Sequence, residues 1–458
     1  FCKMKIIIVG CGKVGFTLAE QLNSENHDIT LIDSDGPLLQ SVTETLDVMG
    51  VVGNGAISQV QIEAGIEEAD LLIATTNSDE VNMLCCLIAK KAGNCHTIAR
   101  VRNPEYAREV NFIREELNLS MAINPDFTAA REISRLIRFP SAIKIDTFSK
   151  GRVEILKFIV PEGSVLHNMQ VMEISAKLHC RVLICAIERK TEGKTEVIIP
   201  NGLTQILAGD KLSFIGTGKE SRRFFRQVGI VNNAVQNVMI IGGGRTSYYL
   251  AQILENSGIR VKIIERDKDI CMELSEKLPK TTIIHGDATD QQLLMEEGIQ
   301  QTEAFVALTG FDEENIMLSL YVGTQSKAKL ITKVNKISFE DIINSMNLGS
   351  VIYPKLLVAD YILRYVRAMQ NSLGSNVTTL YKIAGNKAEA LEFRVSSNSP
   401  VIGIPLEKLS LKPNLIVACV NRKGKIFTPT GQDTMESGDA VIIVTTNVGF
   451  KDLKDILA

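Results

Sequence analysis

The chain has 458 residues, a formal net charge of -3, 45% hydrophobic residues and 22% charged residues. This is longer than one ordinary domain, with about three expected from length alone, and the even charge balance excludes the basic excess of a nucleic-acid binder, so no nucleic acid is expected as a partner. Apolar runs such as Ile6 to Val9 and Val441 to Val444 are strand-sized, and none in the chain exceeds the seven residues of Met83 to Ala89, far short of the roughly 18 residues a membrane-crossing helix needs.

The chain opens Phe1-Cys2-Lys3-Met4. No signal-peptide core precedes Met4, which is a natural start, so the first three residues are expected not to be native. From Lys5 to Asp33 the pattern predicts a strand, a glycine-rich turn, a helix, and a second strand ending in an acid. Val51 to Ala74 predicts a short strand, a helix ending at Gly65 and a buried apolar strand. The Thr75 to Lys91 segment reads as a helix behind a turn, and Thr97 to Val101 as another strand. Asp79 and Asn82 are read as caps of the helix they open. After a proline, Asp126 to Arg138 predicts a helix with Phe127, Ala130, Ile133 and Ile137 on one stripe, which could dock on its own sheet or on another copy, a partner contact being the expectation. From Glu154 to Ile230 the texture turns β-branched and turn-rich.

The second half repeats the first. Val238 to Glu265 answers Lys5 to Asp33, Ile283 to Ala307 answers Val51 to Ala74, and Leu330 to Val334 answers Thr97 to Val101. Lys355 to Met369 carries a second stripe of Leu356, Ala359, Leu363 and Val366. Glu389 to Leu457 answers Glu154 to Ile230, with Pro-x-Gly and then Gly-Asp before a strand in both. Agreement over about 130 residues is a duplication, and it replaces the three expected domains with four. The fold class is α/β: two Rossmann-like, doubly wound parallel sheets, each followed by a small β-rich α+β domain. The expected domains are 4–140, 141–231, 235–371 and 372–458.

In the first copy Gly10, Gly12 and Gly15 form GxGxxG between a strand and a helix, with Cys11, Lys13 and Val14 between them. Gly10 makes the tight turn, Gly12 admits a pyrophosphate, and Gly15 lets the helix pack close. The helix N-terminus offers free N–H groups to phosphate, and Asp33 is placed to accept from a ribose. NAD(H) fits this copy best, and ATP/ADP, with the same ribose and diphosphate, stays open. In the second copy the turn is Gly242-Gly243-Gly244-Arg245 with Glu265 as the acid, but Ser247 replaces the third glycine, leaving nucleotide binding or a structural relic as its two readings. Other ligand contacts are expected where parallel strands end: Asn54, Thr75, Thr76 and Arg100 in copy one, and Asp287, Leu308, Thr309 and Lys333 in copy two.

A dehydrogenase needs a proton-exchanging group beside its cofactor. Of His27, His96, His167, His179 and His285, only His285 falls near an expected nucleotide edge, and copy one has no histidine there. No nucleophile elbow, zinc-ligand spacing or Gly-Lys-Ser/Thr loop is present, so no catalytic residue and no metal ligand is expected. The nine cysteines carry no CxxC pair, which fits packed thiols in a reducing cytoplasm.

The alternating order, GCGKVG with Asp33, the NSDEVN run, TIARV, and the paired PNGLTQILAGD and PTGQDTMESGD resemble the RCK, or KTN, regulators of potassium channels and transporters. The resemblance covers essentially the whole chain from Met4. It implies a cytoplasmic regulatory subunit, peripheral on the inner face of the cell membrane, that self-associates through its Rossmann-like domains into a dimer or tetramer ring. The ring would act on a separate membrane potassium translocation subunit of TrkH/TrkG type, with NAD(H), or in relatives ATP or ADP, shifting its state. Two other readings stand beside it: an NAD-dependent oxidoreductase with a duplicated Rossmann domain, and a scaffold with vestigial turns.

Overall fold

The computed structural model describes residues 3–139, 142–148, 153–191, 194–230, 235–335, 342–343, 346–371, 377–383, 387–447, 449–450 and 452–458. Phe1 and Cys2, and the expected boundaries at 140, 141, 231 and 372, lie outside these residues. The chain forms two compact units, one of residues 1–134 with 236–363 and the other of 135–235 with 364–458. Like halves of the repeat are therefore gathered together.

In the first unit, copy one runs β1 (Lys5–Val9), α1 (Lys13–Ser24), β2 (Asp28–Asp33), α2 (Gly36–Leu46), β3 (Met49–Val52), α3 (Ser58–Glu63), β4 (Leu71–Ala74), α4 (Asp79–Ala92), β5 (His96–Arg100), α5 (Pro104–Arg108), α6 (Val110–Glu116), β6 (Met121–Ile123) and α7 (Pro125–Arg138). The strands lie in the order β3-β2-β1-β4-β5-β6, all parallel. β1 and β4 are buried almost end to end, as expected of strands covered by helices on both faces. The order reverses between β1 and β4, which opens a crevice at their carboxyl ends.

The small domain that follows has β7 (Lys144–Phe148), β8 (Val153–Ile159), α8 (Glu173–Leu178), β9 (Leu183–Thr191), β10 (Lys194–Ile198), β11 (Lys211–Gly216) and α9 (Gly218–Gln227). Copy two repeats both parts. Its Rossmann-like half has β12 (Asn237–Ile241), α10 (Arg245–Asn256), β13 (Arg260–Glu265), α11 (Lys268–Lys277), β14 (Thr282–His285), α12 (Gln291–Glu296), β15 (Ala304–Ala307), α13 (Asp312–Gln325), β16 (Lys329–Lys333), β17 (Ser350–Ile352) and α14 (Pro354–Asn371). Its strand order, β14-β13-β12-β15-β16-β17, matches that of copy one. The last sheet, β18 (Val377–Ile383), β19 (Ala388–Arg394), β20 (Leu415–Arg422), β21 (Lys425–Phe427) and β22 (Ala440–Thr445), has the topology of the β7–β11 sheet strand for strand.

The two copies meet inside each unit. The Tyr249 ring on α10 packs edge-on against Phe127 of α7 at 5.6 Å, and Asn124 donates to its hydroxyl at 3.0 Å. Ala130 and Ile133 of the α7 stripe are buried in the chain itself, as are Val358, Ala359, Ile362 and Leu363 of α14. Burial within one chain corrects the expectation of a partner-subunit contact for Ala130, Ile133, Ala359 and Leu363, whereas Phe127 of the α7 stripe stays 39% exposed. In the other unit, one core takes Phe148, Ile155, Cys185 and Ile215 from one sheet and Ala390, Cys419, Ile442 and Val444 from the other.

The repeated Gly-Asp has a structural task. Gly209 and Gly438 turn with φ of 84° and 87°, and the aspartate that follows is 2% exposed in both copies. Asp210 receives both Nε and Nη2 of Arg189, at 2.9 and 2.7 Å, and Asp439 receives the same fork from Arg422. Breaking a buried, bidentate pair leaves a charge without its partner. Asp210→Ala and Asp439→Ala are each expected to destabilise their unit by about 3 kcal/mol, read as a lowered denaturant midpoint. An unchanged midpoint would show that the fork is ornamental.

Candidate functional site

The residues expected to contact a ligand end up on one edge because β1 to β5 are parallel and in register. Val9 stands beside Ile32 and Ala74, and Ala74 beside Ala99. The turn after β1, Asp33 ending β2, Asn54 after β3, Thr75 and Thr76 after β4 and Arg100 ending β5 all follow at that edge.

Each glycine of the first turn has a distinct constraint. Gly10 has φ +100°, and a Cβ there would lie 3.0 Å from the Thr75–Thr76 peptide. Its N–H donates to Ile32 O at 2.8 Å. Gly12 is the N-cap of α1 and gives no side-chain cap, and a Cβ on it would meet nothing within 4 Å. Open space over a helix N-terminus with unpartnered donors is a cradle for an anion. A Cβ on Gly15 would fall 1.8 Å from Gly10 O, which makes the third glycine a packing requirement. Lys13 opens α1 and is exposed, and Val14 is half-buried. The Cys11 side chain is buried, its thiol pushed up to about 12 by burial and then by Asp33. What Cys11 gives the edge is its N–H, which donates to Asp33 Oδ2 at 2.6 Å. Asp33 Oδ1 accepts from Asp35 N–H at 3.0 Å, so the acid braces the turn beside which a ribose hydroxyl would bind.

The second turn copies this. Gly242 has φ +94°, Gly244 is open above, and Glu265 accepts Gly243 N–H at 2.5 Å and Asp267 N–H at 2.8 Å. Ser247 is fully buried, and its hydroxyl donates to Gly242 O at 2.5 Å. The carbonyl that would clash with a Cβ in copy one is a hydrogen-bond acceptor in copy two. Arg245 opens α10, exposed. Tyr248 and Tyr249 are buried, Tyr249 against Phe127 of α7 and the Tyr248 hydroxyl accepting from Gln252 of its own helix.

At the neighbouring strand ends, Arg100 is 7% exposed. One Nη reaches Thr76 O, while its Nε has no partner. Burial, then Arg102, holds its pKa below the usual guanidinium value, and Asp79 and Asp126 oppose this. Lys333, its counterpart, donates to Leu308 O at 3.1 Å, and burial lowers its pKa against the pull of Asp126 and Asp312. Asn54 and Asp287 are exposed and hold their own turns, Asn54 through Ala56 N–H and Asp287 through Thr289. Thr76 and Thr309 both accept a place in an asparagine clasp.

That clasp corrects the reading of Asp79 and Asn82 as helix caps. Ser78 caps α4 through Val81 N–H, which frees the next residues. Asn82 Oδ1 accepts Thr76 N–H at 2.8 Å, and its Nδ2 donates to Thr76 O and Arg100 O. Asp79 accepts the N–H groups of Arg102 and Asn103 at 2.8 and 2.7 Å. Asn315 and Asp312 do the same for Thr309, Lys333 and Asn335. These four residues tie the ends of two strands together under the site. The sequence signal was the return of Asp-x-x-Asn at one offset in both copies.

The two edges also touch. Asp126, at the start of α7, accepts Arg102 Nε at 2.9 Å and the Thr246 hydroxyl at 3.0 Å. Thr246 lies in the first turn of α10, directly behind the second glycine turn. On the other side, Lys355 of α14 lies within electrostatic reach of Lys13 and Glu20 on α1. The helix that ends each copy thus starts beside the glycine-turn helix of the other.

Gly15→Ala is expected to unfold or strongly destabilise the first unit, since backbone must move to clear the 1.8 Å contact. Gly12→Ala is expected to leave its melting curve within a degree or two of the wild type. Equal effects of the two changes on thermal unfolding would refute the division of labour.

TrkA-N domains match residues 6–125 and 238–354, and TrkA-C domains match residues 155–229 and 390–458. Among curated relatives, the Trk system potassium uptake protein TrkA of Haemophilus influenzae is 34% identical over 449 residues, spanning 96% of this chain and 95% of its own. That of Halomonas elongata is 33% identical over 443 residues, spanning 96% and 95%. Among solved structures, the GsuK channel bound to NAD superposes with a TM-score of 0.62 at 17% identity, covering 97% of this chain and 77% of that one. With two TrkA-N and two TrkA-C domains in alternation along its full matched length, the chain belongs to the TrkA family of Trk system potassium uptake proteins.

Proposed function

We propose that this chain is the nucleotide-binding regulatory subunit of a potassium uptake system, and that the glycine turn of the first copy holds NAD(H). The observation that carries the nucleotide reading is the open cradle at Gly12, with Asp33 bonded to the turn beside it; at the neighbouring end of β5 the Nε of buried Arg100 has no partner. A buried cationic donor without a partner is costly, and a phosphate oxygen would satisfy it. The potassium reading rests on the relatives, which are named as Trk system uptake proteins along their whole length. The GsuK channel, which shares the fold, was solved with NAD. The second turn supports a nucleotide too, since Ser247 is turned into its own backbone; ATP or ADP is proposed there.

In this reading Gly10, Cys11, Gly12, Lys13, Val14 and Gly15 surround the diphosphate, Asp33 takes the ribose, and Asn54, Thr75, Thr76 and Arg100 complete the edge. Gly242, Gly244, Arg245, Glu265, Asp287, Thr309 and Lys333 do the same in copy two. The bound nucleotide supplies charge and shape, and the chain supplies a two-sided response. A ligand at α10 presses on Thr246, whose hydroxyl holds Asp126, which holds Arg102 beside the first site. Only a difference in affinity between two arrangements of that junction can shift their populations. Copies of the chain associate into a dimer or tetramer ring on the inner face of the membrane, and the ring transmits the shift to a TrkH/TrkG-like translocation subunit. No helix among the described residues is long and apolar enough to cross a membrane; in this reading the pore belongs to that other subunit.

Titration calorimetry of the purified chain with NADH, NAD, ATP and ADP tests this. Saturable binding without consumption of NADH is expected, with Asp33→Ala weakening NADH at the first site at least about tenfold, the worth of a charge-assisted hydrogen bond. Unchanged NADH affinity in Asp33→Ala would end the first-site assignment. Turnover of NADH with a small substrate would favour the oxidoreductase instead.

A further inference from the structure

Helix α9 ends the first small domain and is two-faced. Its inner side inserts Phe224 and Phe225 against Phe158 and Phe214, at ring-centroid distances of 4.8 to 5.8 Å, and Ser221 of the same helix is buried. Its outer side carries Lys219, Arg222, Arg223 and Arg226, all exposed. At about 100° per residue these four fall within an arc of about 100°, opposite the phenylalanines. No acid shares the arc: Glu220 is turned away, accepting the Arg181 N–H at 2.7 Å. Among the described residues none of the four forms an ion pair.

This concentration works against the helix itself. Lys219 with Arg223 and Arg222 with Arg226 are like-charged pairs at i, i+4, and Lys219 stands at the positive end of the helix dipole. The fold does not require it, as the duplication shows. At the same place in the second small domain the chain has a short 3-10 helix, Leu453–Ile456, with Asp452 and Asp455 forming a capping box and Lys454 beside them. One copy carries two acids and one lysine there and the other four cations in an arc without an acid, in a chain whose net charge is -3.

We propose that the outer face of α9 is an electrostatic contact with the anionic headgroups of a lipid bilayer. The arc contains no apolar residue to insert, so the contact is superficial and rests on charge alone. A bilayer is preferred to an acidic segment of a membrane protein because short cytoplasmic loops carry an excess of Lys and Arg, which this face would repel. That preference rests on the proposed function, which sets the chain beside a membrane subunit; the lipid contact itself needs neither that subunit nor a nucleotide.

The test is flotation of the purified full chain with vesicles of phosphatidylcholine alone or mixed with phosphatidylglycerol. The wild type is expected to bind only the mixed vesicles, and to release as the screening length falls from about 10 Å at 0.1 M salt to about 3 Å at 1 M. Lys219→Gln, Arg222→Gln, Arg223→Gln and Arg226→Gln combined are expected to weaken binding about tenfold or more. A control carrying Lys268→Gln, Lys280→Gln, Lys327→Gln and Lys408→Gln, with the same change in net charge at scattered exposed sites, is expected to bind as the wild type. Arg226→Glu alone should shift binding the same way as the combined α9 variant, keeping the test clear of any folding defect. No binding by the wild type, equal binding to both vesicle types, or equal loss in the scattered control would overturn the proposal. So would retention of an acidic polypeptide or RNA through α9 while vesicles are ignored.

Discussion

The site depends on how closely one helix approaches one strand. Gly15 brings α1 so near the end of β1 that a single added carbon would lie 1.8 Å from Gly10 O. That approach aims the first turn of α1 at the crevice where the sheet order reverses, and Thr75 completes it by bonding back to Val9 O and Gly10 O, both at 3.3 Å. Copy two reaches the same end differently. Ser247 converts the steric obstacle into an acceptor for its own hydroxyl. The same crevice is thus built once by absence of a side chain and once by a hydrogen bond.

Much of this was legible in the sequence because it is local. A glycine turn between a strand and a helix, an acid at the next strand end, and a Gly-Asp before a strand each depend on a few neighbours in the chain, and their repetition at matching offsets fixed the alternating order of parts. Ser247 was legible as a departure, and its consequence was not, because the sequence does not show that Gly242 O stands free to accept.

What escaped the sequence depends on distant partners. Asp79 and Asn82 sit where caps sit, and only the structure shows Ser78 taking that role while Asn82 reaches across to Arg100 O, 18 residues away. The stripes of α7 and α14 announced burial without naming the surface that covers them. For Phe127 that surface is the other copy: its ring packs against Tyr249 of α10, whose hydroxyl accepts from Asn124. The arginines that answer Asp210 and Asp439 lie 21 and 17 residues before them, on a strand whose sequence gives no hint of the pairing.

The junction between the Rossmann-like halves is, in this chain, a unimolecular contact. Its partners are held at a fixed one-to-one ratio, and dilution does not separate them as it would two subunits. Two identical copies meeting across a two-fold axis must use the same residues on both sides. Here they need not, and they do not: Asn124, Asp126 and Phe127 meet Thr246 and Tyr249, while the counterparts of Asp126, Thr246 and Tyr249 in the other copy are Lys355, Val14 and Thr17. A tethered heterodimer of this kind can mutate one half of its junction without committing the other half to the same change.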